Sequence, residues 1–391
     1  MKNEPERFAH LDMGRVLACL LVVVYHAGGT ASLDKYFGDH ELSQVVALSY
    51  VRMPFFFAMS GFLLSWIYLK SDSAASATSF IGKRLVRLFP LYWVVLCAVA
   101  ALQIFVLRQP DLVPTGARWW ATFFLLPQNP VGLEGVGGTG APVLYPAWVL
   151  QYELAAYLLV AFALSSKVLR RAYLFGFPVV YFFLSDSSVF LLSFLGSKWL
   201  LIFWCGAFAA WMAARLSETQ IRWMRAGAVV WLGWAALIQY ASTGGVVTGD
   251  PDIDVLYGVG FALLMLGLST RRQRGTEGTA ARWGRRSMQQ IALWSYAIFL
   301  CHAPVISLVC KLLLAAGFTG ELGWSLAVVA SLLISVVVGA IAHLTIEEPI
   351  HRAIARMTAS WRARRQAGRS RTTRDAAPVG ARQPRELPPR R

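Results

Sequence analysis

An arginine and a histidine share the first apolar segment of the chain, and together they could do chemistry. The run from Leu11 to Ala27 is almost wholly apolar, yet Arg15 stands near its start and His26 lies deep inside it. At about 100° per residue, their separation returns both side chains to nearly the same helix face, about three turns apart. Ionisable groups inside a bilayer cost a few kcal/mol, so they usually face the bundle interior and mark a functional path. Interface anchoring of Arg15 and a structural hydrogen bond of His26 fit this segment equally well.

Four further groups of polar residues interrupt apolar segments. They are Ser60 with Gly61, Arg84 and Arg87 ahead of Tyr92, Glu153 with Trp148 and Tyr157, and His302 with Tyr296. A serine–glycine pair permits close helix packing and can supply a hydroxyl. Paired arginines can grip phosphate groups, although bare charges at a helix end are more often topology determinants. A glutamate or a histidine inside an apolar helix is hard to explain by packing alone.

The elements that position these residues are predicted to be membrane helices. The chain is 57% hydrophobic and 15% charged, whereas about a quarter of the residues in soluble proteins are charged. Apolar blocks of membrane-spanning length recur along the chain, and the alternation that a transmembrane barrel needs is absent. The sequence therefore predicts an all-α polytopic membrane protein with about ten transmembrane helices. The predicted spans are 11–30, 47–69, 86–107, 147–166, 172–185, 197–214, 224–241, 253–270, 289–313 and 322–346.

Basic residues predict the orientation of the chain. Sixteen Lys and Arg residues fall in one set of alternate loops and four in the other, which places both termini in the cytoplasm by the positive-inside rule. We expect residues 1–350 to form the transmembrane domain and residues 351–391 to form a basic, mostly disordered cytoplasmic tail. Much of the net charge of +16 lies in that tail, which fits attraction to anionic lipids or topology control and gives no indication of nucleic-acid binding. The five cysteines have the spacing of neither a disulfide framework nor a metal site.

This orientation predicts the depth of the polar groups. Arg15, Arg84 and Arg87 fall near the cytoplasmic face, His302 near the middle, and His26 and Glu153 in the outer half. Glu347, at the end of the last span, can pair with the arginines of the third span, Arg84 and Arg87. The sequence therefore predicts a cationic entrance for an anionic donor on the cytoplasmic side, and a centre of histidine and glutamate toward the outside.

Six sequence motifs follow one another along these spans. They are R-x10-H at 15–26, SGF at 60–62, R-x-x-R-L-x-P-x-Y at 84–92, W-x-L-x-x-E at 148–153, SY-x5-H at 295–302 and E-x-P at 347–349. In this order, and over roughly residues 8–350, the chain resembles the acyltransferase-3 family of ten-span membrane O-acyltransferases. These bacterial proteins modify surface glycans, antibiotics and lipids. The chain departs from the family pattern at Val149, where the family often has Ser or Thr.

The resemblance implies transfer of an acyl group, commonly acetyl, from acyl-CoA to a hydroxyl at the bacterial cytoplasmic membrane. It implies the catalytic residues Arg15, His26, Glu153 and His302. Neutral His26 would either deprotonate the acceptor hydroxyl or carry the acyl group transiently, and both routes stay open. Glu153 or His302 would hold the imidazole tautomer or return the proton to the leaving thiolate.

The resemblance also implies sites for two substrates. The donor would bind through Arg15, Arg84, Arg87 and Tyr92, and the acceptor through Ser60, Trp148 and Tyr296. We expect acyl-CoA as the donor, a glycan or a lipid-linked acceptor, and contact with membrane lipids. We expect no permanently bound cofactor, no metal and no nucleic-acid partner.

A transporter or flippase of an anionic or lipid-linked substrate is the alternative reading. In such a protein, His26, Glu153 and His302 would form a proton relay. The sequence has no inverted repeat, and transport leaves the order of the motifs unexplained. A glycan-binding scaffold without chemistry fits less well, because it gives no reason for a buried histidine and arginine on one helix face.

Overall fold

Helices make up the regular structure of the chain. The computed structural model describes residues 9–39, 43, 46, 48–69, 76–129, 141, 143–243, 250–269 and 279–360, and no strand occurs within these ranges. The helices are α1 (Ala9–Ala31), α2 (Arg52–Tyr68), α3 (Ala77–Ala101), α4 (Gly116–Phe123), α5 (Ala147–Ser165), α6 (Lys167–Leu184), α7 (Phe190–Leu195), α8 (Lys198–Ala213), α9 (Glu218–Thr243), α10 (Pro251–Gly267), α11 (Thr279–Ala315) and α12 (Gly320–Ala342). A helix satisfies its own backbone hydrogen bonds, which is what an apolar segment in lipid requires.

Each of the ten predicted spans coincides with one of these helices. Within the described residues, seven helical segments are long and apolar enough to cross a membrane: Met13–Ala31, Ala77–Val106, Ala147–Ser165, Phe190–Ala213, Glu218–Ser242, Met288–Ala315 and Gly320–Ser360. The other three helices, α2, α6 and α10, contain 17, 18 and 17 residues, slightly fewer than the roughly 20 that usually cross the hydrocarbon core. The fold is thus that of a multi-pass helical membrane protein, while the count of ten spans and the orientation of the termini stay predictions.

Two helices are extended by π-helical turns. Leu102–Val106 follows α3, and His343–Glu347 follows α12 and leads into further helix up to residue 360. Such turns are rare and frequently occur near functional sites. The predicted tail therefore begins as helix, and its remainder, residues 361–391, lies outside the described residues.

Helix α2 packs against α8 and α10, with α1 on another side. Its closest approach is to α8, through two facing glycines. A Cβ added at Gly61 would lie 1.9 Å from the carbonyl oxygen of Phe203, and a Cβ added at Gly206 would lie 1.9 Å from the carbonyl oxygen of Ala58. The two backbones are therefore in direct contact, as small residues allow between membrane helices. This contact fixes the rotation of α2 and directs the neighbouring Ser60 to the cavity described next.

Candidate active site

A cavity of about 320 Å³ lies between α1, α2, α3, α5 and α11. Its polar lining consists of Arg15, Ser60, Arg84, Arg87, Glu153, Tyr157, Ser295 and Tyr296. We call it the arginine cavity. Its size is within the range of small-molecule sites, about 300–1,000 Å³. Six of the residues selected from the sequence therefore meet at one cavity: Arg15, Ser60, Arg84, Arg87, Glu153 and Tyr296.

Arg84 and Arg87 bring two cations to one side of α3, because residues three apart share a helix face. The guanidinium of Arg84 lies among aromatic rings, 5.4 Å from the ring of Tyr68, 5.5 Å from that of Phe80 and 5.7 Å from that of Tyr157. These contacts hold the cation by its attraction to the ring faces. Its buried Nε has no hydrogen-bond partner among the described residues. A buried donor of this kind is suited to an anionic ligand oxygen.

Glu153 supplies a carboxylate to the same cavity. The hydroxyl of Tyr157, one turn further along α5, donates a hydrogen bond to Glu153 Oε1. Tyr296 lies within electrostatic range of Glu153, Arg87 and Glu347. Its own hydroxyl donates to the carbonyl oxygen of Leu88 at 2.5 Å and so joins α11 to α3. The cavity therefore combines cations with a carboxylate whose orientation is fixed by a tyrosine.

Glu347 was expected to pair with the arginines of α3. The contact found for its carboxylate is instead with His343 in the same π-helical turn, where Nδ1 of the histidine lies 2.8 Å from Glu347 Oε2. The side chain of Glu347 is buried. The two residues are four positions apart, a spacing that brings side chains together on one helix face.

His26 and His302 form a second polar group, which we call the histidine pair. Their ring centroids are 5.3 Å apart, with 32° between the ring planes. Tyr25 and Tyr145 meet His26 edge-on, at centroid distances of 5.4 Å and 5.6 Å. His26 is partly exposed and His302 is fully buried. His26 is therefore the more accessible member of the pair.

The hydrogen bond of His302 defines which of its nitrogens carries the proton. Nδ1 lies 2.6 Å from the carbonyl oxygen of Phe299. Since a carbonyl only accepts, Nδ1 of a neutral imidazole must carry the hydrogen, and Nε2 is then an acceptor. The buried Nε2 has no hydrogen-bond partner among the described residues. His302 thus presents an unused acceptor next to His26.

The arginine cavity and the histidine pair adjoin along shared helices. Val22 lines the cavity one turn before His26 on α1. Phe299 also lines the cavity, and its ring centroid is 5.8 Å from that of His302 on α11. The histidine pair therefore lies directly behind the cavity wall that Val22 and Phe299 form.

The sequence had suggested that Glu153 lies beside the histidines. In the structure it lies apart from them. Tyr145, which contacts His26, precedes α5, whereas Glu153 lies six residues beyond the start of that helix at Ala147. At 1.5 Å per residue, this offset moves Glu153 about 9 Å along the helix. The expected centre of histidine and glutamate is therefore two groups, with Glu153 on the arginine side. A catalytic role for Glu153 stays a prediction.

Two other predicted ligand contacts lie outside the cavity lining. The hydroxyl of buried Tyr92 donates to the carbonyl oxygen of Thr122 at 2.6 Å and so fastens α4 to α3. Trp148 packs against Trp199 and Tyr152, at centroid distances of 5.5 Å and 6.1 Å. Its neighbour Val149 lines the cavity, so the hydroxyl that the family often has at this position is missing from the site itself.

A buried charged network near the histidine pair was overlooked in the sequence. Arg52 is 5% exposed, and its guanidinium carbon lies 3.5 Å from the ring centroid of Tyr25. Asp254 is fully buried and accepts a hydrogen bond from Tyr50 at 2.8 Å, while Lys198 Nζ lies 2.5 Å from the same carboxylate oxygen. Arg52 and Asp254 both fall inside predicted spans, so an ionisable residue within an apolar segment was the signal that could have found them.

Comparison with known proteins agrees with this architecture. Residues 8–344 match the acyltransferase-3 family, described as "Acyltransferase domain", and the chain belongs to that family. It is similar to "Acyltransferase MdmB" of Streptomyces mycarofaciens, with 27% identity over 88% of this chain and 91% of that protein. It is also similar to "Protein 2 in picA locus" of Rhizobium radiobacter, with 36% identity over 102 residues, which cover 26% of this chain and 48% of that protein. No solved structure matches the chain.

Proposed function

We propose that the protein is a membrane O-acyltransferase that moves an acyl group, acetyl in the first instance, from acyl-CoA to a hydroxyl of a glycan, a lipid-linked sugar or a related acceptor. The observation that carries this proposal is that the arginine cavity and the histidine pair are neighbours, with Val22 and Phe299 between them. Membership of an acyltransferase family supports the reaction class.

The donor is proposed to bind with its phosphates toward Arg15, Arg84 and Arg87. Guanidinium groups pair well with phosphate oxygens. All three arginines and Glu153 line the same cavity. The acyl thioester would then lie toward Val22 and Phe299, next to the histidine pair.

His26 is proposed as the reacting imidazole. In direct transfer, its free nitrogen takes the proton of the acceptor hydroxyl while the hydroxyl oxygen forms a bond to the thioester carbonyl carbon. The tetrahedral intermediate reforms the carbonyl, the carbon–sulfur bond breaks, and the thiolate of CoA takes the proton from His26. The products are an ester and the free thiol of CoA. In the alternative route, His26 first carries the acyl group and then yields it to the hydroxyl.

The membrane arrangement is part of the proposal. We propose that all ten helices predicted as spans cross the bacterial cytoplasmic membrane and that both termini are cytoplasmic. The arginine cavity would then open toward cytoplasmic acyl-CoA, and the histidine pair would lie in the outer half. Residues 1–350 would be the catalytic domain, and residues 351–391 a basic cytoplasmic tail.

Labelled acetyl-CoA supplied to inverted membrane vesicles tests this function. Wild type is compared with His26→Ala and with Arg215→Gln, an exposed arginine that contacts Trp211 away from the cavity. We expect base-labile label in the glycan or lipid fraction with wild type and Arg215→Gln, and none with His26→Ala at matched abundance. Full labelling with His26→Ala would refute the proposal. Proton-coupled uptake of a substrate without an acyl product would favour the transporter.

A further inference from the structure

We propose that Arg52 is a further catalytic residue, whose guanidinium binds the oxyanion that forms when the thioester carbonyl is attacked beside His26. The inference rests on the proposed acyl transfer and adds the group that stabilises its transition state. Neither the family motifs in the sequence nor the predicted site residues include Arg52.

Arg52 lies where the two polar groups of the site meet. It is the first residue of α2, and the next residue, Met53, lines the arginine cavity. The Arg52 guanidinium is within electrostatic range of both His26 and His302. Arg52, His26 and His302 each have a cavity-lining residue close by on the same helix. These residues are Met53 directly after Arg52 on α2, Val22 one turn before His26 on α1, and Phe299 one turn before His302 on α11.

The guanidinium is held in place by aromatic and charged neighbours. Its carbon lies 3.5 Å from the centroid of the Tyr25 ring, which in turn meets His26 at 5.4 Å. Tyr50 lies within electrostatic range of Arg52 and donates to Asp254, which Lys198 neutralises. A buried cation with such a setting is oriented before the reaction begins, which is the condition under which a charge stabilises a transition state most effectively.

Donor phosphates are a poor explanation for this arginine. Arg15 and His26 are eleven residues apart on α1, or about 16 Å along the helix, and Arg15, Arg84 and Arg87 share the arginine cavity. Arg52 lies instead with the imidazoles at the other end. A cation in that position faces the reacting carbonyl of a bound thioester.

The proposed step balances as follows. The acceptor oxygen forms its bond to the carbonyl carbon while His26 takes the hydroxyl proton, and the carbonyl π electrons move to the carbonyl oxygen. Arg52 donates hydrogen bonds to this oxyanion. When the carbonyl reforms, the carbon–sulfur bond breaks, the sulfur leaves with the electron pair, and His26 returns the proton to it. Arg52 gains and loses no proton.

The test measures transfer from varied concentrations of labelled acetyl-CoA in vesicles that contain the endogenous acceptor, for wild type, Arg52→Gln, Arg52→Lys and the Arg215→Gln control. Removal of one oxyanion-stabilising donor usually lowers kcat by about 100- to 1,000-fold. We expect such a loss for Arg52→Gln, a smaller loss for Arg52→Lys, which keeps the charge and loses the planar fork, and a donor KM within threefold of wild type for both.

Rates are expressed per molecule of folded protein, quantified after detergent extraction. If Arg52→Gln does not accumulate, the kcat and the donor KM of Arg52→Lys are used instead, with a lowered kcat and an unchanged KM as the expected result. Unchanged kcat in a folded Arg52 variant, or a loss that lies wholly in the donor KM, overturns the inference. If wild type itself transfers no label, or His26→Ala transfers as well as wild type, the proposed function fails instead.

Discussion

Substitution of Gly206 by alanine tests the contact that places α2 in the bundle. The added Cβ would lie 1.9 Å from the carbonyl oxygen of Ala58 and 2.9 Å from the amide nitrogen of Phe62, whereas ordinary van der Waals contact begins near 3.4 Å. The obstacle is backbone, so no side chain can rotate away, and the two helices must separate by about 1.5 Å. Overpacking of this kind costs about 3 kcal/mol, which exceeds the gain of about 1 kcal/mol in helix propensity on replacing glycine by alanine.

The matched control is Gly227→Ala in α9, where an added Cβ meets nothing within 4 Å. Both substitutions add one methyl group to a helical glycine, so they differ only in the space available. Thermal unfolding of the detergent-purified protein should show a midpoint several degrees below wild type for Gly206→Ala and no decrease for Gly227→Ala. Transfer activity should fall with Gly206→Ala as well, because α2 carries Arg52 and Ser60.

An unfolding midpoint of Gly206→Ala within one degree of wild type would refute this reasoning. It would mean that α2 and α8 are not in backbone contact in the membrane-embedded protein. Equal losses in both variants would also contradict it, because the effect would then come from the methyl group and not from the contact at Gly206.

Two further predictions concern the donor. Arg84→Gln and Arg87→Gln should each raise the KM for acetyl-CoA by about 10- to 100-fold with little change in kcat, since a hydrogen bond to a charged group is worth about 1.5–3 kcal/mol. Saturation kinetics measure both constants, and a fall in kcat with an unchanged KM would contradict the prediction. Tyr92→Phe removes the hydrogen bond to the carbonyl oxygen of Thr122. It should lower the free energy of unfolding by about 1 kcal/mol and leave the KM for acetyl-CoA unchanged. A raised KM without a loss of stability would show that Tyr92 binds the donor.

Much of the helical framework follows from the sequence. Apolar segments of membrane length specify helices regardless of their partners, because the backbone in lipid must satisfy its own hydrogen bonds. The spacing of Arg15 and His26 likewise predicts a shared helix face. In the structure, the first lines the arginine cavity and the second belongs to the histidine pair.

Relative depth on different helices does not follow from one sequence. Glu153 and His26 were both expected in the outer half, but their separation depends on where α5 begins relative to α1. The contact of Tyr145 with His26 sets that register, and it is a tertiary contact between distant segments. Glu153 lines the arginine cavity, and its depth in the membrane and its role in the site stay predictions.

Packing partners were the other feature that sequence reasoning missed. The close approach at Gly61 was expected, but nothing in a single sequence singles out Gly206 as the facing glycine. Tyr92 lies in the motif that carries Arg84 and Arg87, and was assigned to the donor for that reason. Its side chain turns instead toward Thr122, because Tyr92 lies five residues after Arg87, which is about 140° around the helix.

The most direct test of the central claim is to measure binding and transfer on the same His26→Ala protein. Purified wild type and His26→Ala are reconstituted in lipid nanodiscs, and the Kd for acetyl-CoA is determined by calorimetry alongside label transfer in vesicles. We predict the same Kd for both proteins, within threefold, and no transfer by His26→Ala, because the donor is held by the arginine cavity while the chemistry occurs at the histidine pair. Full transfer by His26→Ala, or loss of acetyl-CoA binding in a folded His26→Ala protein, would contradict the account.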